Sequence, residues 1–156
     1  MSIVSQQQLE QLADQTLQDQ RTIVLATGVF DVLHDEHRNF LQAAKKAGDL
    51  LIVGLEPDAR VKLLKGEGRP VNGIENRLKN LDDWQIADAL FVLPEDFGRK
   101  EHQESLIARL KPAILAVSSH TLHQDRKAAV MEKYGGELRV VHRHNPAVSS
   151  TKIIES

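Results

Sequence analysis

The chain has 156 residues, 41% hydrophobic and 27% charged, a balance that suits one globular domain over residues 1–156 with a sizeable core. It contains no cysteine, which excludes disulfides, thiolate metal sites and cysteine catalysis, and its formal net charge of −2 gives no general attraction to nucleic acid. No apolar run approaches membrane-spanning length and the N-terminus is Gln-rich, so neither membrane insertion nor a secretory signal is expected; a cytoplasmic location is.

Leu9, Leu12, Ala13 and Leu17 recur at helical spacing and predict an N-terminal helix within residues 1–20, packed on the domain edge. Residues 22–27 read as the first strand. After a turn, Phe40, Leu41, Ala44 and Ala47 form a helical stripe that ends at Gly48, read as a C-cap. The unbroken apolar run 50–55 predicts a parallel strand covered on both faces. A short helix at 58–64, a Gly-rich loop at 66–73, a helix at 74–84 and a third strand at 89–93 follow. The helix at 101–110 stops before Pro112. Beyond it lie a strand at 114–117, a helix at 124–134 and a strand at 138–141. A last helix runs over 149–154, with Ser149 or Ser150 as N-cap. The alternation predicts an α/β fold, a single-domain Rossmann-like open parallel sheet of about five strands with helices on both faces. Ligands of such sheets lie beyond the carboxyl ends of the strands, where the Gly28 turn and segments 56–58 and 117–121 are expected to converge.

The densest chemistry follows the first strand. Gly28 breaks the run Ile23-Val24-Leu25-Ala26, and His34 and His37 stand three apart as a helix begins. Strand, glycine turn and helix N-terminus make a phosphate-binding corner, and both imidazoles can face one pocket. Bare His-x-x-His pairs are commonly structural. Zinc is a poorer reading, since no third ligand is evident. Gly28 serves either close phosphate approach or turn geometry, and Phe30 is assigned to the core.

Gly28-Val29-Phe30-Asp31-Val32-Leu33-His34-Asp35-Glu36-His37 resembles the signature of the cytidylyltransferase-like nucleotidyltransferases, Gly-x-Phe-Asp-x-x-His-x-Gly-His. Leu64-Lys65-Gly66-Glu67-Gly68-Arg69-Pro70-Val71-Asn72, with Glu75 and Arg77, is similar to the subgroup that adenylylates heptose 1-phosphate for lipopolysaccharide precursors. Ser149-Ser150-Thr151 is similar to the family's Ser-Thr-Thr element, so the resemblance runs from about Leu9 to Ile154. It implies transfer of a nucleoside monophosphate to a phosphorylated small molecule such as a sugar phosphate, with pyrophosphate released and Mg²⁺ as cofactor. AMP from ATP is the first expectation and CTP the alternative.

The resemblance implies catalytic roles for His34, His37 and Lys65. Nucleotide contacts fall to Thr27, Gly28, Val29, Phe30, His34, His37, Ser149, Ser150 and Thr151. Acceptor contacts fall to Asp31, Asp58, Arg77 and His120, and no side chain is assigned as a metal ligand. Each role has an alternative. Lys65, with Lys62 in reserve, neutralises triphosphate or is a solvated loop lysine. Arg77 pairs with phosphate or with Glu75 and holds the loop; Asp58 meets acceptor, the Mg²⁺ shell or only its helix N-terminus; Asp31 caps the turn or contacts backbone near the nucleotide. Asp88 is structural, and Ser150 with Thr151 binds phosphates or caps a helix. A homodimer is possible, served by the N-terminal helix; nucleic acid and membrane are not expected partners.

Three positions depart from the family pattern. Glu36 replaces the glycine between the histidines. At an effective dielectric near 20, a like charge about 4 Å away costs roughly 4 kcal/mol, or about a thousandfold in affinity. Its side chain either bears that cost, swings outward, or reaches Lys65 or Mg²⁺. Val117-Ser118-Ser119-His120-Thr121 replaces Lys-Gly-Gly-Asp-Tyr, with His120 as substitute donor or exposed loop residue, and Ala147 replaces a glycine. His142, Arg143 and His144 form an anion site or simply end a strand. These departures define an alternative, a relative that keeps the fold and binds nucleotide or acts as a scaffold without turnover.

Overall fold

The computed structural model describes residues 2–97 and 99–143; Ser149, Ser150, Thr151, the expected last helix, His144 and Ala147 lie outside them. Helices and strands run in the order α1 (Gln6–Gln18), β1 (Ile23–Gly28), α2 (Asp35–Lys46), β2 (Leu50–Leu55), α3 (Asp58–Lys65), α4 (Ile74–Trp84), β3 (Ala89–Val92), α5 (Lys100–Leu110), β4 (Ile114–Ser118), α6 (Gln124–Lys133) and β5 (Glu137–His142). The strands form one sheet, ordered β3-β2-β1-β4-β5, with every pair parallel. From β1 the chain winds outward to one edge, returns, and winds to the other. The strand order therefore reverses between β1 and β4, where an open α/β sheet leaves a crevice.

Two cores follow from the two-residue period of a strand. In β1, Ile23 and Leu25 pack with Leu9 and Ala13 of α1, Leu110 of α5 and Met131 of α6. Val24 and Ala26 face the opposite side, with Leu41 and Ala44 of α2 and Leu78 and Leu81 of α4. Each leucine buried to this degree contributes about 2 kcal/mol of transfer free energy. The apolar stripe of α1 is used within the chain, and Arg109 of α5 bonds Glu10 and Asp14 on the same helix. Ser5 and Gln8 cap α1 reciprocally, which fixes its start.

The outer edge of β3 is also covered. Val4 N–H donates to Leu90 O at 2.9 Å and Leu90 N–H to Ser2 O at 2.7 Å. Paired edges of this kind do not template association with other chains.

Two expectations are corrected. Gly48 is not a helix C-cap: α2 ends at Lys46 with Ala47 as cap, and a Cβ at Gly48 would lie 2.7 Å from Val24 Cγ2. Close packing, not left-handed backbone, requires glycine there. Lys65 is the last residue of α3 and not part of the loop. No helix among the described residues is long and apolar enough to cross a membrane.

Candidate active site

Beyond the carboxyl ends of β1, β2 and β4 lies a cavity of about 510 Å³. The turn after β1, Glu56 at the exit of β2, and Ser118, His120 and Thr121 after β4 all line it. This is the convergence expected of the topology, except that Pro57 and Asp58 are not among the lining residues.

Thr27, Gly28 and Val29 bring β1 to the cavity wall. The chain then turns through Phe30, whose φ of 50° is left-handed and costs about 1 kcal/mol. The Phe30 ring is buried, as expected of a core residue. A Cβ on Gly28 would lie 2.9 Å from that ring, so the packing of Phe30 already demands glycine.

His34 is the N-cap of α2, and its ring stacks on His37 with centroids 4.0 Å apart and planes at 30°. The amide N–H of His34 donates to Nδ1 of His37 at 3.3 Å. A nitrogen that accepts carries no proton, so the neutral His37 ring holds its proton on Nε2 and offers that atom as a donor. Both histidines line the cavity at the start of a helix, where the macrodipole favours anions.

Glu36, between them, also lines the cavity, and its carboxylate meets Nε2 of His142, the last residue of β5. A carboxylate only accepts, so His142 donates. The expected destinations for Glu36 did not include this partner, which lies 106 positions away in sequence. His142 ends its strand, as read, and carries this further role.

Charge in the cavity favours a polyanion. Arg60, Lys65, Arg69, Arg126 and Lys127 line it against the carboxylates of Asp31, Glu36 and Glu56. Asp31 faces Arg69 at 3.2 Å, Glu36 faces His142, and Glu56 faces Arg60 at 3.7 Å. Lys65, Arg126 and Lys127 add positive charge beyond these pairs. Lys62 is turned toward Glu67 at 3.6 Å and does not line the cavity.

Three of the four acceptor candidates have other work. Asp31 is 2% exposed. It accepts from the amides of Val71 at 2.7 Å and Asn72 at 2.8 Å and from Arg69 Nε at 3.2 Å. Burial pushes its carboxyl up, but these donors outweigh burial and hold it below the ordinary aspartate range. Its carboxylate anchors the loop over 69–72 at the cavity wall.

Arg77 is fully buried and does not line the cavity. It donates to Asn72 O at 3.0 Å, Val29 O at 3.0 Å, Glu56 O at 2.7 Å and Asp58 Oδ1 at 2.6 Å. Glu75 is not among these acceptors; Arg77 staples the β1 turn, the β2 exit, the loop and α3 together. Asp58, at the start of α3, completes that staple. His120 alone is exposed toward the cavity, with Nδ1 2.9 Å from Ser118 Oγ. Asp88, as read, is structural, accepting from Leu51 N–H at 2.8 Å and pairing with Lys45.

Sequence reading missed Glu56, Arg60, Arg126 and Lys127. Glu56 had a signal, since it directly follows a buried parallel strand; the two cations of α6 had none. For Mg²⁺, the described residues contain no group of three His, Cys, Asp or Glu able to hold a metal ion; Asp31 and Glu56 face arginines and Glu36 meets His142. These residues do not by themselves build a Mg²⁺ cage.

Comparison with known proteins agrees with this geometry. The sequence profile of the family described as Cytidylyltransferase-like matches residues 25–156. The bifunctional protein HldE of Yersinia enterocolitica serotype O:8 / biotype 1B is 35% identical over 156 residues, covering 99% of this chain and 31% of that protein. HldE of Yersinia pestis strain Pestoides F is 34% identical over 155 residues with the same coverage. The chain thus spans 31% of the length of these relatives. Among solved structures, the lipopolysaccharide core biosynthesis protein from Thermoplasma volcanium aligns with a TM-score of 0.62 at 23% identity, over 80% of this chain and 97% of that one. Pantothenate synthetase from Thermus thermophilus aligns with a TM-score of 0.61 at 14% identity, over 98% of this chain and 67% of that one. At such identities the structural likeness speaks for the fold alone.

Proposed function

The chain belongs to the cytidylyltransferase-like family, and from that premise we propose that it transfers a nucleoside monophosphate, AMP from ATP, to the phosphate of a small phosphorylated acceptor such as a sugar phosphate. The observation that carries this reading is the stacked His34/His37 pair at the start of α2, opening into a cavity with a surplus of cations. An acceptor phosphate oxygen attacks the α-phosphorus, the bond from that phosphorus to the bridging oxygen breaks, and pyrophosphate leaves. No proton has to move in the bond-making step, so the protein's task is positioning and charge stabilisation.

His37 Nε2–H donates to an α-phosphate oxygen as charge builds on it, and the His34 amide, by bonding Nδ1, keeps the ring in that tautomer. Lys65 reaches the phosphates from the end of α3, and Arg69 is held near them through Asp31. Mg²⁺ supplies further charge neutralisation on the triphosphate; the residues described supply the donors. The 117–121 segment, changed from the subgroup's pattern, contributes His120 to the opposite wall.

Pyrophosphate release is the test. It is expected to require both the nucleoside triphosphate and a phosphorylated acceptor, and to fall by about 10²- to 10³-fold in His37→Ala, as loss of one transition-state donor does. Release that ignores the acceptor, or survives His37→Ala, would remove the reading.

A further inference from the structure

Glu56 is the residue through which β2 leaves the sheet, and its backbone is held from both sides. Its N–H donates to Gly28 O at 2.9 Å, and its carbonyl accepts from Arg77 at 2.7 Å. The side chain is 12% exposed and lines the cavity beside the histidine corner. Its Oε2 and the Nε of Arg60 are both buried, and neither makes a hydrogen bond to any described residue. They stand 3.7 Å apart, close enough to attract and too far to bond.

Lys127 approaches from α6 and feels the Glu56 charge. Burial raises the Glu56 carboxyl above its ordinary range, and Arg60, Lys127 and Arg77 only partly offset it. Burial likewise lowers Lys127, with Arg126 adding to the effect. A buried charge cluster with unused hydrogen-bonding capacity costs stability and calls for an explanation.

The chemistry of the cluster selects its occupant. Glu56 can only accept, so its partner must be a donor. An ammonium donor would be repelled by Arg60, Lys127 and Arg126, whereas a neutral hydroxyl is not. The cations outnumber the one carboxylate, which suits a dianionic phosphate. Gly28 lies directly beside Glu56, and a nucleophile attacking a phosphorus at the Gly28 corner has to come from an adjacent site. Resting on the nucleotidyl-transfer reading above, we propose that Glu56, Arg60 and Lys127 form the acceptor subsite, with Glu56 accepting from hydroxyls of a phosphorylated polyol whose phosphate lies against Arg60 and Lys127.

The test is calorimetric titration with ATP, methyl phosphate, mannose 1-phosphate and a heptose 1-phosphate, using wild type, Glu56→Gln and Lys127→Met. Glu56→Gln is expected to weaken at least one polyol phosphate by about tenfold or more, while ATP and methyl phosphate stay within about twofold. Lys127→Met is expected to weaken the polyol phosphates and methyl phosphate by about tenfold, and ATP by clearly less. Equal weakening of ATP, or no binding of either polyol phosphate to a wild type that binds ATP, would overturn the subsite and leave nucleotidyl transfer standing. Failure of wild type to bind ATP would remove both.

Discussion

Asp31 shows how a signature residue can shape a site through the loop it holds. Its two oxygens collect the Val71 and Asn72 amides and Arg69, so the loop over 69–72 closes beside the histidine corner. The folded-state carboxyl titrates below the unfolded value near about 3.9, so its stabilisation is complete above that pH and is lost as pH falls through the lower, folded value. Asp31→Asn is expected to cost about 2 kcal/mol at pH 7 in urea unfolding, with the gap to wild type shrinking below about pH 4. Arg77 makes the same point more strongly. Lysine keeps the charge but not the planar fork that reaches four acceptors. Arg77→Lys should cost about 3 kcal/mol or more, a melting-temperature fall of roughly 6–12 °C. Sequence offered structural roles for both, Asp31 capping the turn and Arg77 holding the loop, beside ligand contacts, but not the partners they use. Their partners sit on separate segments that meet only after folding, whereas His34 and His37 meet through three positions of one helix.

At the scale of elements, α2 is tied to β5 through Glu36 and His142. The tie gives the glutamate carboxylate beside the phosphate corner a hydrogen-bond donor and holds it. His142→Ala should therefore weaken ATP binding by about tenfold, because it leaves the carboxylate against the polyanion. Adding Glu36→Gly to it should restore affinity to within severalfold of wild type, a cycle that isolates the pair. The elements were legible where strands carry apolar runs, as in β1 to β4, and helices an apolar stripe, as in α1 and α2; β5 alternates charged and apolar residues. The ends were less so. Gly48 looked like a cap because caps and tight packing both demand glycine, and Lys65 looked like loop because the glycines that follow it mark where α3 stops.

For the whole molecule, the all-parallel order β3-β2-β1-β4-β5 gathers the ends of three strands into one cavity, and that could be anticipated from alternation alone. Which side chains line the far wall could not. Glu56 and Arg60 stand four apart across the exit of β2 and the start of α3, but Lys127 comes from α6 and no spacing in the sequence links it to them. The surplus of cations is likewise a property of the cavity, since the chain as a whole is slightly acidic. Local concentration of positive charge, not net charge, is what draws a triphosphate.

The most direct measurement is calorimetric titration of the full chain with ATP and with CTP, each with and without Mg²⁺. The expected result is one nucleotide, ATP, binding at roughly micromolar affinity, tighter with Mg²⁺ present. Failure of both nucleotides to bind, in wild type and in Glu36→Gly alike, would contradict the assignment of the cavity to a triphosphate.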